Sequence, residues 1–352
     1  MLIARAPVRL SFFGGGTDLA AYYMRYGGAV LSTTLDKYVY VIMNVSEQNG
    51  LQITSSDYNT FYRHSPGEPL LWDGDLSLPR AVLQHFGVEH SVSMFLASEV
   101  PPGTGLGSSS SVTAALVKAI STACGQRLTK AQVAKLACYI EIEKLGKPIG
   151  IQDQYAAAYG GINWITFNAD EVHVTPLNIP VATLNKLENN LLLMFTGSTH
   201  DSAHILGRQT TASRNSDPKV IRSLQGAYEL ALQARELLIE GDLDEFGRML
   251  DQAWRHKKQF DAGVTNDRID SCYNAALKNG ALGGKIAGAG GGGFLILYCE
   301  EGAKDRVTLE LTHMGLRRMD VHFERDGARV LFNAGLRLVA GKRNGKVETE
   351  YA

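Results

Sequence analysis

The chain has 352 residues, 45% hydrophobic and 20% charged, with a formal net charge of −1 and a pI near 6.8. That length suits two domains and the apolar content suffices for buried cores. The near-neutral charge gives no handle for nucleic acid or an anionic membrane surface, and ten prolines without a three-residue glycine period exclude collagen-like and low-complexity chains.

The N-terminal MLIARAPVRLSFFGGG lacks the apolar core of a signal peptide. Val8, Leu10 and Phe12 alternate with Arg9, Ser11 and Phe13, which reads as a half-buried strand whose polar face runs into Gly14–Gly16. Leu35–Val45 is rich in β-branched and aromatic residues and reads as a second strand. His90–Glu99 alternates again and leads into two prolines and PPGTGLGSSSS (101–111). From Ser108 the period becomes helical, through Val112, Ala115, Leu116, Ala119, Ile120 and Ala123. A further helix starts at Thr129, where Gln132 completes the spacing of a capping box, and it should end at Gly146 before Pro148. Leu191–Phe195 reads as a buried strand, followed by helical patterns over 218–240 and 243–261. Phe294–Cys299, which holds the densest apolar run (FLILY), reads as another buried strand, too short to span a membrane. Val321–Phe332 reads as a hairpin turned at Asp326-Gly327. Strands and helices mix without regular βαβ spacing, so the expected class is α+β, divided near residues 180–190 into domains 1–187 and 188–352. Cys124, Cys138, Cys272 and Cys299 show no metal-ligand spacing and fit a reducing, cytoplasmic setting.

Glycine is the compositional outlier, with 37 residues, about 10.5%, against a usual share near 7%. Thirteen lie in three short stretches: Gly14–Gly16; Gly103, Gly105 and Gly107; and Gly283, Gly284, Gly288 and Gly290–Gly293. The second joins a strand to a helix, where glycine lets backbone N–H groups turn inward and the helix N-terminus adds partial positive charge. Pro102, Gly103, Thr104, Gly105, Leu106, Gly107, Ser108, Ser109 and Ser110 are therefore read as a phosphate loop, with the serines as hydroxyl donors and possible magnesium ligands. The loop has neither the Gly-Lys-Ser/Thr ending of a Walker A sequence nor dinucleotide GxGxxG spacing.

At this loop the chain resembles the GHMP kinase superfamily, which includes galactokinase, homoserine kinase and mevalonate kinase. APVRLSFFGGGTD (6–18), PPGTGLGSSSS (101–111) and KIAGAGGGGF (285–294) are similar to its three motifs in their usual order. GIQDQYAAAYGG (150–161) is similar to the segment that carries the family's catalytic aspartate. GGGTDLAAYYMRYGGAVLSTTLDKYVYV, IEIEKLGKPIGIQDQYAAAYGG and LLLMFTGSTHDSAHIL resemble more closely the branch acting on D-glycero-D-manno-heptose 7-phosphate. The resemblance covers most of the chain. It implies an N-terminal domain like ribosomal protein S5 domain 2, a ferredoxin-like C-terminal domain, ATP and Mg2+ as cofactors, and phosphorylation of an anomeric hydroxyl of a small-molecule sugar phosphate. The runners-up are another anomeric kinase, for fucose or galactose, and a non-catalytic sugar and ATP sensor.

The residues carry these roles against plainer alternatives. From spacing alone, Asp153 reads equally as the N-cap of a short helix or as a general base; the resemblance implies the base. Arg9 reads as a surface strand arginine or as the partner of a charged group; the resemblance implies a catalytic cation. Glu141 and Glu143 fall near the edges of one helical stripe, and the resemblance implies Glu141, twelve residues before Asp153, as a magnesium ligand with Ser109, Ser108 or Ser110. Glu143 reads as a solvated charge. Asp18, with Gly16 and Thr17, is implied as a sugar contact, although Gly14–Gly16 replace the Gly-Glu-His of the galactokinase motif. Gly288, Ala289, Gly290, Gly291 and Gly292 are implied as a loop beside the active site. His200 and His204 lie four apart near Asp201 but lack a third ligand at metal spacing, so no transition metal is expected. Arg25, Lys37 and Arg208 are the candidate cations for the substrate's own phosphate.

Overall fold

The computed structural model describes residues 1–45, 50–56, 60–64, 76–88, 92–198 and 202–338. In chain order the elements are β1 (Leu2–Phe13), α1 (Ala20–Tyr26), β2 (Gly28–Val45), β3 (Leu51–Ser55), β4 (Thr60–His64), α2 (Ser77–His85), β5 (Val92–Ser98), α3 (Ser108–Ala123), α4 (Lys130–Cys138) and α5 (Gln152–Tyr159). They continue with β6 (Asn163–Phe167), β7 (Val172–Pro176), α6 (Val181–Asn190), β8 (Leu191–Phe195), α7 (Ser202–Arg214), α8 (Pro218–Glu240), α9 (Leu243–Lys257), α10 (Asp267–Lys278), β9 (Ala281–Ile286), β10 (Phe294–Cys299), α11 (Lys304–His313), β11 (Arg317–Met319), β12 (Phe323–Glu324) and β13 (Arg329–Asn333). No helix among the described residues is long and apolar enough to cross a membrane.

The strands form two sheets. In the first, the order is β13-β1-β2-β5-β3-β4, with β6 and β12 also on β2 and β7 on β6; in the second it is β11-β8-β10-β9. β2 serves so many partners because it is long: Gly28–Ser32 pair with β6, Thr34 and Leu35 with β12, and Val39–Val45 with β5. Helices α2 to α5 pack on the first sheet through a core that includes Val41, Leu116, Ile120 and Ala157. A second core joins the two sheets, setting Val8, Leu10, Phe12 and Phe13 of β1 against Phe246 and Leu250 of α9 and Leu193 of β8. Phe12 and Phe13 meet the Phe246 ring edge-on, with centroids 5.4 and 5.1 Å apart. This apolar joint fixes the angle at which the halves face each other.

The mixed α+β class is as expected, and so are most elements, including the Thr129–Gln132 capping box, present in both directions. Three expectations change. β1 is buried on both faces from Ala6 to Phe13, because α3 and α5 reach it through Ser111 and Asp153 where solvent was expected. The Val321–Phe332 hairpin is absent: β12 pairs with β2 and β13 with β1, and Gly327 between them lies against the Ala158 carbonyl, where a Cβ would come within 2.1 Å. The division 1–187/188–352 falls inside α6, and β12 and β13 return to the first sheet, β12 on Thr34 and Leu35 of β2 and β13 on Leu2–Arg5 of β1. The halves of the sequence are therefore not the halves of the fold.

β9 lies on α9 through Gly283, where a Cβ would stand 2.2 Å from the Gly247 carbonyl oxygen and 2.6 Å from the Asp251 nitrogen. Both neighbours are backbone and cannot yield cheaply. Gly283→Ala should destabilise the protein by about 2 kcal/mol and lower its melting temperature by about 5 °C, read by thermal unfolding.

Candidate active site

β5 delivers the 101–107 loop to the N-terminus of α3, with positive φ at Gly103, Gly105 and Gly107. No side chain caps that helix, so the first backbone N–H groups, on Ser108, Ser109 and Ser110, have no partner within it. These serines line a cavity of about 360 Å³ with Arg9, Asp18, Asp153 and Gly288. The loop is held from behind by the other half of the fold. A Cβ on Gly288 would stand 2.6 Å from the Gly105 Cα, one on Gly293 2.3 Å from the Thr104 oxygen, and the Phe294 N–H donates to that same oxygen at 3.2 Å. The expected loop residues thus divide: Gly103, Gly105, Gly107, Ser108, Ser109, Ser110, Gly288 and Ala289 line the cavity. Thr104 is buried and donates to the Pro101 carbonyl, and Leu106 sits in the core. Pro102 lines a separate small pocket, and Gly291 donates its N–H to the Val264 carbonyl. Neither Gly290, Gly291 nor Gly292 lines the cavity. A whole-loop reading cannot separate residues facing inward from those that brace them.

Asp153 occupies the first turn of α5, whose N-cap is Ile151, so the capping alternative falls. Its carboxylate turns to Arg9: Nε donates to Oδ1 at 2.7 Å and Nη2 to Oδ2 at 2.8 Å, a bidentate pair. Arg9 Nη1 donates to the Gly105 carbonyl, and its backbone N–H donates to the Leu106 carbonyl at 3.0 Å, tying β1 to the phosphate loop. The Arg9 side chain is only 6% exposed, whereas that of Asp153 is 22% exposed and opens onto the cavity.

Glu141 is fully buried, because the helix from Lys130 widens to a π-helix over Tyr139–Lys144 and swings it inward; Glu143 stays exposed. Glu141 Oε1 accepts from Ser109 Oγ at 3.1 Å, Oε2 accepts from Gln154 Nε2 at 2.7 Å, and Lys147 Nζ lies 3.0 Å from Ser109 Oγ. Oxygen donors at the foot of a phosphate loop fit Mg2+, which is commonly held by one or two protein oxygens plus phosphate. Among the described residues no group of three or more His, Cys, Asp or Glu could hold a metal ion. His200 and Asp201 lie outside them.

Asp18 is buried at the cavity wall and accepts from the N–H groups of Gly16 at 2.9 Å and Gln152 at 3.3 Å. Burial, and then the negative charge of Asp153, raise its carboxyl above the usual range. Gly16 lines the cavity; Thr17 does not, since its hydroxyl is spent on the Gly14 and Ala29 carbonyls. Around Gly15 and Gly16 stand three residues the sequence reading did not single out as contacts. Ser11 Oγ, Gln152 Oε1 and Gln209 Nε2 are buried, without hydrogen-bond partners in the protein, and belong to residues lining the cavity. Arg25, Lys37 and Arg208 bond instead to Ser216, Asp36 and Asp261, and none lines it.

The cavity's cations are Arg9, Lys147, Lys257 and Lys285, and none of the lysines was picked out from the sequence. Lys257 Nζ donates to the carbonyls of Ile286 and Gly288, both at 2.6 Å, which pins the 288 turn. Burial, with Lys285 and Arg9 nearby, pushes its ammonium well below the usual range. Lys285 is 6% exposed, and burial followed by Arg9's charge pushes it down to about 7. An unfolded lysine titrates near 10.4, so between these values the unfolded chain binds more protons than the folded one and stability rises with pH. Lys285→Met should stabilise the nucleotide-free protein at pH 7, by on the order of 4 kcal/mol at most, with the gain fading towards pH 10. Urea unfolding at both pH values reads this directly.

The chain has relatives among known proteins. Residues 77–161 match the family model "GHMP kinases N terminal domain" and residues 234–315 match "GHMP kinases C terminal". The chain is 31% identical to the D-glycero-alpha-D-manno-heptose 7-phosphate kinase of Campylobacter jejuni, over 92% of this chain and 97% of that protein. It is 27% identical to the bifunctional fucokinase/GDP-fucose pyrophosphorylase of Arabidopsis thaliana, over 85% of this chain and 30% of that one. Among solved structures, a D-glycero-D-manno-heptose 1-phosphate kinase from Bacteroides thetaiotaomicron superposes with a TM-score of 0.79 at 28% identity, covering 95% and 99% of the two chains.

Proposed function

Since the chain belongs to the GHMP kinase family and is a sugar kinase of it, we propose that it transfers the γ-phosphoryl group of Mg-ATP to the C1 hydroxyl of D-glycero-D-manno-heptose 7-phosphate. The product would be the 1,7-bisphosphate, towards nucleotide-activated heptose. One observation carries the reading: the Asp153 carboxylate, fixed by Arg9, opens onto the same cavity as the phosphate loop. A sugar acceptor is supported by the unpaired polar atoms of Ser11, Gln152 and Gln209, which leave buried groups that hydroxyls would satisfy. The runner-up, a fucose or galactose 1-kinase, draws on the fucokinase relative.

Residues of this chain perform the transfer by position and charge. The N–H groups of Ser108 to Ser110 and the α3 dipole hold phosphate oxygens. Ser109 and Glu141 would hold Mg2+, which when bound offsets phosphate charge. Asp153 accepts the C1 hydroxyl proton as that oxygen bonds to phosphorus and the bridging oxygen of ADP leaves with its electron pair. An anomeric hydroxyl is more acidic than an ordinary alcohol, so a carboxylate suffices as its base. Arg9 keeps Asp153 aimed, and Asp18 ties the first glycine loop to the start of α5.

A coupled ATP-turnover assay across heptose 7-phosphate, heptose 1-phosphate, galactose, fucose and mevalonate tests the acceptor, and the highest kcat/KM should fall on heptose 7-phosphate. Asp153→Asn should lower kcat by about 10²- to 10⁴-fold with ATP affinity nearly unchanged. Glu141→Gln should raise the Mg2+ concentration for half-maximal rate by about 10-fold or more, seen in a magnesium titration at saturating ATP.

A further inference from the structure

Arg9, the cation implied by family resemblance, is already engaged: three of its five N–H donors are spent, two on Asp153 and one on the Gly105 carbonyl, and Asp153 offsets its charge. Lys147 is held by Ser109 and Glu141, and Lys257 by two backbone carbonyls. Lys285 differs: it is nine-tenths buried, lines the cavity, and makes no hydrogen bond or ion pair among the described residues. Its place follows from the strand. Lys285 lies two residues beyond Gly283, on the face of β9 that meets α9, and two residues before Ala287, whose carbonyl backs onto Gly105. An unpaired ammonium is thereby set in the wall of the cavity that the 103–107 loop also lines, close enough to Arg9 for their charges to interact. Asp153 compensates Arg9, but among the described residues no carboxylate pairs with Lys257 or Lys285, so an incoming anion would supply counter-charge that the protein does not.

We propose that Lys285 is a catalytic residue whose ammonium binds a non-bridging oxygen of the phosphoryl group in transit, while Arg9 is a positioning residue for Asp153. This rests on the phosphoryl-transfer reading above. The bond from acceptor oxygen to phosphorus forms, the bond from phosphorus to the bridging oxygen breaks with its electron pair going to ADP, and the acceptor proton goes to Asp153. Lys285 remains protonated throughout and balances the charge gathered on the phosphoryl oxygens. Its Nζ carries three donors, none engaged by the protein, so no existing bond must break first.

Two measurements test this, one of them independent of the acceptor. In turnover assays Lys285→Met should lower kcat by about 10²- to 10³-fold with the sugar-phosphate KM within about 3-fold, while the affinity for a non-hydrolysable ATP analogue, measured by calorimetry at pH 7, falls by only about 5- to 10-fold. Lys285→Arg should recover about 10-fold or more of that loss. A Lys285→Met enzyme that keeps more than a tenth of kcat, or that changes only the sugar-phosphate KM, overturns the proposal; the latter would assign Lys285 to the substrate's own phosphate. In the wild type, acylation of Lys285 followed by mass spectrometry across pH should report an amine titrating at least one unit higher when the magnesium complex of the ATP analogue is bound. The groups facing it are Arg9 and Lys257, with Asp153 beyond Arg9, so a bound anion is what would raise it. No change on analogue binding overturns the proposal whatever the acceptor is. If that shift occurs but no sugar is turned over, the acceptor assignment fails and the cation's role stands.

Discussion

The contact on which the site depends is backbone against backbone. Gly105 and Gly288 approach so closely that neither has room for a Cβ, and Thr104 receives the Phe294 N–H from the opposite side of the cleft. Glycine is required here twice over, because both residues also have positive φ. The phosphate loop therefore does not rest on its own half of the fold. It is pressed against a turn of the second sheet, and that turn is pinned by Lys257 through the Ile286 and Gly288 carbonyls. A loop with free N–H groups at a helix N-terminus is intrinsically mobile; braced this way, it presents those donors in one arrangement before any ligand arrives, which is the preorganisation that electrostatic catalysis needs.

The same construction explains the charges. A carboxylate and a guanidinium taken from water together cost several kcal/mol in desolvation, and only good geometry repays it. Arg9 and Asp153 meet that condition with a bidentate pair, and the extra bond from Arg9 to Gly105 links that pair to the 101–107 loop. Glu141 meets it differently, surrounded by Ser109, Gln154 and Lys147. Asp153, the 101–107 loop and Glu141 thus belong to one hydrogen-bonded unit reaching across β1, α3, α5 and the π-helical turn.

Much of this was legible in the sequence, for reasons that can be stated. The glycine clusters showed because close backbone approach leaves glycine no substitute, and Asp153 and Arg9 showed through their motifs. Periodicity could not choose between Glu141 and Glu143, since a 3.6-residue wheel assumes the α-helix that the π-helical turn interrupts. The hairpin at Asp326-Gly327 misled because a turn dipeptide reports a reversal of direction, not which strands pair. Ser11 did carry a signal, alternating in phase with Arg9. Gln209 and Lys257 carried none, because they reach the cavity only through the packing of α7 and α9. Lys285 had a faint one, as the single charge in an otherwise small and apolar strand, ALGGKI.

That lone charge bears on what the fold gives up for its chemistry. The chain as a whole is nearly neutral, yet the cleft gathers four cations around few carboxylates, and at least Lys257 and Lys285 are held where burial and like charge both oppose protonation. Stability alone would select an uncharged residue at 285, since an unpaired buried ammonium contributes nothing to folding. A polyanionic ligand reverses the balance: each phosphate oxygen entering the cleft supplies the counter-charge that the protein lacks, so the strain of the empty site becomes attraction in the filled one. The attraction grows with the charge on the group in the cleft, which is why such an arrangement favours a phosphoryl group in transit over a neutral sugar, and why the cost appears in the apo protein rather than in turnover.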